Sequence, residues 1–216
     1  NLLRNAVNYS YPNTVIQLSM EQWKEEHKVL LRVQNHGRTI AKEKLEHMNQ
    51  ILSDLYVRDS VTGLYNRMGY QKLSISYFTI MREKKMPVLV MFIDLDRLKY
   101  INDTFGHEYG DFAIVSIAKA MLKHCDADAI AARTGGDEFI VLEGAKDEES
   151  GRVLAQKIRT ELSKTQRAMQ LPFDLSASIG AVVAHPGEEN VLESYVKRAE
   201  MLMYEEKAEK KVSRDS

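Results

Sequence analysis

The chain holds a single cysteine, Cys125, in 216 residues. An internal disulfide is therefore excluded, and the composition suits a reducing cytosol. Cys125 itself reads as a small residue near a helix end rather than as a nucleophile. An excess of charge of one sign is also missing. The net charge is −1, so no bulk basic field invites DNA, RNA or an anionic membrane. No apolar run approaches the roughly 18 residues of a membrane span, and the opening Asn1-Leu2-Leu3-Arg4 has no signal-peptide pattern. An initiator Met is absent, which reads as a piece of a longer protein with any membrane anchor outside it. The expected location is the cytoplasm, alone or as the cytoplasmic part of that larger protein. Internal repeats and low-complexity tracts are lacking, apart from a charged tail over Lys207 to Lys211. What is present is 44% hydrophobic and 28% charged residues, the balance of a soluble globular protein with a real core. The length suffices for one ordinary domain plus an extra segment.

Three regions follow one another. In residues 1–40, Asn1 to Tyr9 reads as a short helix that stops at Ser10-Tyr11-Pro12-Asn13. Thr14 to Met20 and Lys28 to Gln34 alternate as strands, and the polar Glu25-Glu26-His27 between them predicts a hairpin. In residues 41–58, Ala41, Leu45, Met48, Leu52 and Leu55 are spaced 4, 3, 4 and 3 apart. That is a short heptad seam or the apolar face of an ordinary amphipathic helix. As a coiled coil it would hold two copies of the following domain in register. Residues 59–212 form the third region. Arg67 to Lys85 predicts a helix broken at Pro87, Val88 to Ile93 a buried strand, and Phe112 to Lys123 a helix. The acidic stretch 147–149 opens a helix through Leu162, favourable for its dipole. Leu175 to Ala184 reads as a strand and Val191 to Lys210 as a last helix. The order β-α-α-β-β-α-β-α, with a hairpin at Gly135-Gly136, predicts an α+β fold with a central, mostly antiparallel sheet flanked by helices.

Two strand ends carry the chemistry. Val88 to Ile93 runs into Asp94-Leu95-Asp96. Arg133-Thr134-Gly135-Gly136-Asp137-Glu138-Phe139 places two carboxylates at a turn between apolar runs. Glycines there let the backbone turn sharply and let a triphosphate approach closely. Mg²⁺ prefers hard oxygen ligands and takes one or two protein carboxylates, leaving room for substrate phosphates. Asp94, Asp137 and the Leu95 carbonyl are the expected metal ligands, with Asp96 outside that set. Glu138 is expected to hold a second metal or to help deprotonate a hydroxyl.

Together with Asp59-Ser60-Val61-Thr62-Gly63-Leu64-Tyr65-Asn66-Arg67, Lys99-Tyr100-Ile101-Asn102-Asp103, Gly106-His107, Gly110-Asp111 and Ser178-Ile179-Gly180, these motifs resemble the GGDEF family of diguanylate cyclases from about Asp59 to Lys211. The resemblance implies a nucleotidyl-cyclase-like fold and a Mg²⁺-dependent enzyme, with Mn²⁺ as an alternative metal. Two GTP molecules, one on each half of a homodimer, would condense to cyclic di-GMP with release of pyrophosphate. The catalytic residues would be Asp137 and Glu138. The alternatives are a catalytically inactive nucleotide-binding signalling module of the same fold and a cyclase for another nucleotide product.

The resemblance assigns Asn102 and Asp111 to the base. Guanine presents two N–H donors on its Watson–Crick edge, which a carboxylate can accept, whereas adenine offers a lone pair at N1. The structural alternatives are a helix-capping Asn102 and an N-cap Asp111 before Phe112. Lys99, Lys207 and Lys211 would neutralise the β- and γ-phosphates. Lys211 stands where the family has an arginine, within a Gly-Arg-Asn that here reads Lys210-Lys211-Val212, so bidentate geometry is lost. His107 is expected to support its loop. The family's inhibitory product site, Arg-x-x-Asp, aligns with Asp126 and Ala129, and the expectation is no inhibitory site. Before the helix, Asn1 to Ser10, the hairpin and Val33-Gln34-Asn35-His36-Gly37 resemble part of a histidine-kinase-type ATPase domain, with Asn5 at the metal-binding position. Asn35 replaces the Asp that reads adenine, so a regulatory or dimerising role is expected for this segment.

Overall fold

A computed structural model describes residues 17–23, 28–34, 56–188 and 191–215. The chain divides into two units, Asn1–Ser53 and Asp54–Ser216. The helix expected over Asn1 to Tyr9 lies outside the described residues. So do the seam Ala41 to Leu55 and the ATPase-like positions Asn5 and Asn35. In the first unit, β1 (Gln17–Trp23) pairs antiparallel with β2 (Lys28–Gln34). In the register, Leu18 is the partner of Val33 and Met20 the partner of Leu31. The ladder continues to Trp23, beyond the expected end at Met20, because Lys28 and Val29 still offer it partners.

The second unit is built on a four-stranded antiparallel sheet in the order β4-β5-β3-β6, made of β3 (Val88–Leu95), β4 (Ile130–Arg133), β5 (Glu138–Gly144) and β6 (Ala177–Ala184). Helices α1 (Arg67–Glu83), α2 (Leu98–Phe105), α3 (His107–His124), α4 (Glu149–Ala168) and α5 (Leu192–Asp215) surround it. β3 is apolar almost throughout because both of its faces are covered. Leu89, Met91, Ile93 and Leu95 join Ile117, Met121, Leu154 and Ile158 of α3 and α4 in one core. Val88, Val90 and Phe92 join Phe78 and Met81 of α1 and Tyr195, Ala199 and Met203 of α5 in the other.

Local chemistry fixes the ends of these elements. The Asn66 side chain caps α1 by accepting the Gly69 N–H at 2.9 Å. α1 ends before the expected Lys85, which has a left-handed φ of 57° and leads into Pro87. β3 stops because Arg97 has φ 61°, with its guanidinium 3.9 Å from the centre of the Tyr100 ring. Gly106, at φ 96°, separates α2 from α3, a conformation that glycine adopts without strain. α3 therefore begins at His107, a turn before the expected Phe112. Asp111 is inside that helix and is not its N-cap, and Asn102 is inside α2.

Candidate active site

The site gathers where β3 ends against the β4–β5 turn. Asp94 is opposite Glu138 in the β3–β5 ladder and opposite Ser178 in the β3–β6 ladder. The Leu95 N–H donates to the Asp137 carbonyl at 2.9 Å. The two acidic strand ends named from sequence are thus stitched together by backbone. The turn closes through the Glu138 carbonyl, which accepts from the Thr134 N–H at 3.0 Å. Neither Gly135 nor Gly136 has a positive φ, so the turn does not need glycine for left-handed backbone. Gly135 instead makes room: a Cβ there would lie 2.5 Å from Glu138 Oε2. A Cβ on Gly136 would meet nothing within 4 Å. Arg133 holds the turn from behind, donating from Nη2 to the Gly136 carbonyl at 2.8 Å and from Nη1 to the Asp59 carboxylate at 3.3 Å.

Helix α5 supplies two lysines one turn apart, on one helix face. Lys207 Nζ donates to Asp94 Oδ1 at 2.6 Å. Lys210 Nζ donates to Asp96 Oδ2 at 3.0 Å, to the Ala177 carbonyl at 2.7 Å and to Ser178 Oγ at 3.3 Å, and pairs with Glu206 at 2.8 Å. Asp96 also accepts from the Ser176 and Ser178 hydroxyls, each at 2.7 Å. Glu206 in turn accepts from Arg159 at 2.7 Å and from the Ile179 N–H at 3.2 Å. Asp96 is therefore a satisfied anchor, whereas among the described residues Asp94 has one cationic partner.

The two aspartates titrate in opposite directions. Burial raises Asp94 above the ordinary aspartate value, and the charges of Asp137 and Asp96 add to it against the opposing pull of Lys207. Burial acts the same way on Asp96, but the hydrogen bonds from Ser178 and Ser176 and the charge of Lys210 outweigh it and hold Asp96 low. Burial disfavours the Lys207 ammonium, yet its bond to Asp94 and the charges of Asp94, Asp137 and Asp96 hold it above the usual lysine range. Among the described residues no three carboxylate, histidine or cysteine side chains converge as a ready metal cage. A buried carboxylate already neutralised by an ammonium, beside two further acidic residues and the open space at Gly136, nevertheless fits a hard divalent cation that takes few protein ligands.

Asn102 packs against Gly110, where a Cβ would lie 1.9 Å from Asn102 Oδ1. Gly110 thus lets α2 and α3 close around that amide, with Asp111 the next residue and exposed. Lys99, His107 and Lys211 are exposed. At Asp126 and Ala129 the chain closes on itself. The Asp126 N–H donates to the buried Glu143 carboxylate at 3.0 Å and the Ala129 N–H to the Asp126 carbonyl at 3.1 Å. Cys125 is pushed up to about 12 by burial and by Glu143 and Asp126, which leaves a protonated, unreactive thiol. Lys210, Glu206 and Arg133 were not singled out from sequence. The three-residue step from Lys207 to Lys210 was the available signal.

A family profile described as the diguanylate cyclase GGDEF domain matches residues 56–213. Diguanylate cyclase VdcA of Vibrio cholerae is 34% identical over 153 residues, 69% of this chain and 43% of that protein. Cyclic di-GMP phosphodiesterase NbdA of Pseudomonas aeruginosa is 26% identical over 186 residues, 86% of this chain and 24% of that protein. The chain thus spans less than half the length of either relative. Among solved structures, the coiled coil and GGDEF domain of DgcB from Caulobacter crescentus, in complex with c-di-GMP, shares the fold. It has a TM-score of 0.64 at 23% identity, over 77% of this chain and 88% of that one. No helix among the described residues is long and apolar enough to cross a membrane.

Proposed function

The chain belongs to the GGDEF family, and on that premise we propose that it condenses two GTP molecules into cyclic di-GMP. The observation that carries this reading is the meeting of Asp94, Asp137 and Glu138 at one sheet end, with Lys207 of α5 closing on them. In each half of the reaction a ribose 3′-oxygen attacks the α-phosphorus of the other nucleotide. The bond to the pyrophosphate oxygen breaks, and the hydroxyl proton leaves. Two bonds form and two pyrophosphates depart, so two half-sites must face each other, and a homodimer belongs to the mechanism.

Asp94, Asp137 and the Leu95 carbonyl would hold Mg²⁺, or Mn²⁺ in its place. Bound there, the ion supplies Lewis-acid neutralisation of the phosphate oxygens. Glu138 takes the hydroxyl proton or carries a second cation. Gly136 leaves the turn open for the triphosphate to approach. Lys207, with Lys99 and Lys211, neutralises the β- and γ-phosphates. Asp111 accepts from the N–H donors of the guanine edge and Asn102 also binds the base, a role that the seat Gly110 gives Asn102 supports.

One feature favours a second reading, a nucleotide-binding module without turnover. Lys211 is exposed and stands where the family has an arginine. Incubation of the protein with GTP and Mg²⁺, followed by chromatography and mass spectrometry of the products, separates the two. Cyclic di-GMP and pyrophosphate in a 1:2 ratio are expected. Bound but unconverted GTP would establish the second reading instead.

A further inference from the structure

The two lysines that α5 directs at the end of β3 are held very differently. Lys210 has four acceptors within 3.3 Å. Among the described residues Lys207 has one, Asp94 Oδ1 at 2.6 Å. The Asp94 side chain is 7% exposed, whereas that of Lys207 is 40% exposed. The carboxylate is thus fixed by the strand, and the lysine is the member of the pair with room to leave. An ammonium bonded to a carboxylate oxygen and a divalent cation on the same carboxylate repel each other. A triphosphate offers that ammonium several charged acceptors in exchange for one.

We propose that Lys207 is a placeholder cation, occupying Asp94 until a triphosphate draws it away and frees the carboxylate for the metal. This rests on the reading of Asp94 as a metal ligand given above. Metal and nucleotide then load as a coupled pair. By linkage each raises the affinity of the other by the same factor. A site emptied of nucleotide closes on its own lysine, which spares it an uncompensated buried carboxylate.

Mn²⁺ without nucleotide is the probe, followed by water-proton relaxation on the full chain, with circular dichroism and thermal melts confirming the fold of each variant. Lys207→Met keeps the aliphatic stem and removes the competitor, so Mn²⁺ should bind at least about fivefold more tightly than to wild type. Lys207→Gln should do the same, and Lys207→Arg, which keeps a cation there, should stay near wild type. Lys210→Met removes the same charge from the same helix without freeing Asp94, and should change the affinity less than about twofold. Unchanged Mn²⁺ affinity in both Lys207→Met and Lys207→Gln overturns the proposal. So does an equal gain in Lys210→Met, which would show only a general loss of positive field. Asp94→Asn separates the two levels. If it binds Mn²⁺ as well as wild type does, the metal-ligand reading itself falls. If it binds poorly while the Lys207 variants show no gain, only the placeholder falls.

Discussion

The Asp59 carboxylate meets Arg133 Nη1 at 3.3 Å across 74 positions of sequence. Asp59 also accepts from the Thr62 N–H at 2.9 Å and the Thr62 hydroxyl at 2.7 Å. The other face of Arg133 donates to the Gly136 carbonyl. One guanidinium therefore ties the first motif of the domain to the turn that carries Asp137.

A double-mutant cycle should expose that tie. Asp59→Asn and Arg133→Met are each expected to cost about 1–3 kcal/mol, because each leaves a part-buried charged partner unpaired. Together they should cost less than the sum, by about 0.5 kcal/mol or more. Burial opposes the Asp59 charge, but Thr62 and Arg133 hold its pKa below the ordinary 3.8. A lowered folded pKa gives stability that is present above the unfolded value and lost as pH falls through the folded one. The coupling should therefore fade on acidification below about 3.8. Strictly additive urea midpoints at pH 7 would count against a single unit.

Asp94 and Asp96 should separate stability from function. The folded pKa of Asp94 is raised above 3.8. Its favourable contribution is full below that value and is lost as pH rises through the folded pKa. Ionised Asp94 thus costs stability at neutral pH. Asp94→Asn should melt above wild type at pH 7, converge with it near pH 3, and lose turnover. Asp96 is lowered from 3.8, so its contribution holds at neutral pH and disappears only as pH falls through the folded value. Asp96→Asn should melt lower at pH 7, by the equivalent of about 1–3 kcal/mol, with the gap closing in acid. Thermal melts against pH decide both, and a destabilised Asp94→Asn at pH 7 would reverse the first assignment.

Two glycines should behave in opposite ways. A Cβ on Gly180 would lie 1.9 Å from the Ala199 carbonyl oxygen and 2.4 Å from the Met203 nitrogen. Both are backbone atoms of α5, which cannot rotate aside. Gly180→Ala should cost about 1–3 kcal/mol by overpacking. Gly136→Ala enters open space and should leave stability within about 0.5 kcal/mol. Its turnover should nonetheless fall if the open side of Gly136 receives the triphosphate. A fully active, stable Gly136→Ala would remove that role.

The contrast between β3 and α5 shows what was legible in the sequence. The apolar run Val88 to Ile93, followed by Asp94-Leu95-Asp96, reads as a buried strand, and β3 is a strand over Val88–Leu95, buried throughout. The Gly-Gly-Asp-Glu turn was equally plain, but the reason for its glycines was not. The sequence reading is a sharp turn and room for a triphosphate, whereas Gly135 clears space for Glu138 of its own turn. The start of α3 was missed because Gly106, not Asp111, is the punctuation, and a positive φ is invisible until the preceding helix is known. On α5 the expectation dwelt on Lys211, where the family has an arginine. Lys210 turns inward instead, because its acceptors, Asp96 just after β3 and Ser178 and the Ala177 carbonyl of β6, are brought side by side only by the folded sheet.

Base selectivity should depend on Asp111. Guanine presents two N–H donors to an acceptor-only carboxylate, and adenine presents a lone pair at the matching N1. Asp111→Ala should lower kcat/KM for GTP by about 5- to 150-fold, as expected for about 1–3 kcal/mol of lost matching, while binding of inorganic triphosphate stays. The GTP-over-ATP preference should narrow by the same factor. A variant that keeps the wild-type ratio would mean that the base is read elsewhere.

The proposed condensation makes a final demand, because in it one polypeptide supplies only one nucleotide of the reacting pair. Specific activity should therefore rise with protein concentration and level off once dimers dominate. Half-maximal activity should coincide with the dimer dissociation constant from sedimentation. The heptad spacing of Leu45, Met48, Leu52 and Leu55, just before Asp59, suggests what sets that constant. A helix of that length would be marginal alone, so the seam's contribution should be modest. Charged substitutions at Met48 and Leu52 should move the activity curve to higher concentration and leave GTP binding by each monomer intact. The two results test different claims. A rate per subunit that is independent of dilution, from a species that sediments as a monomer, would defeat the facing half-sites. A curve that the charged variants do not move would remove only the seam, leaving surfaces of the second unit to bring the two nucleotides together.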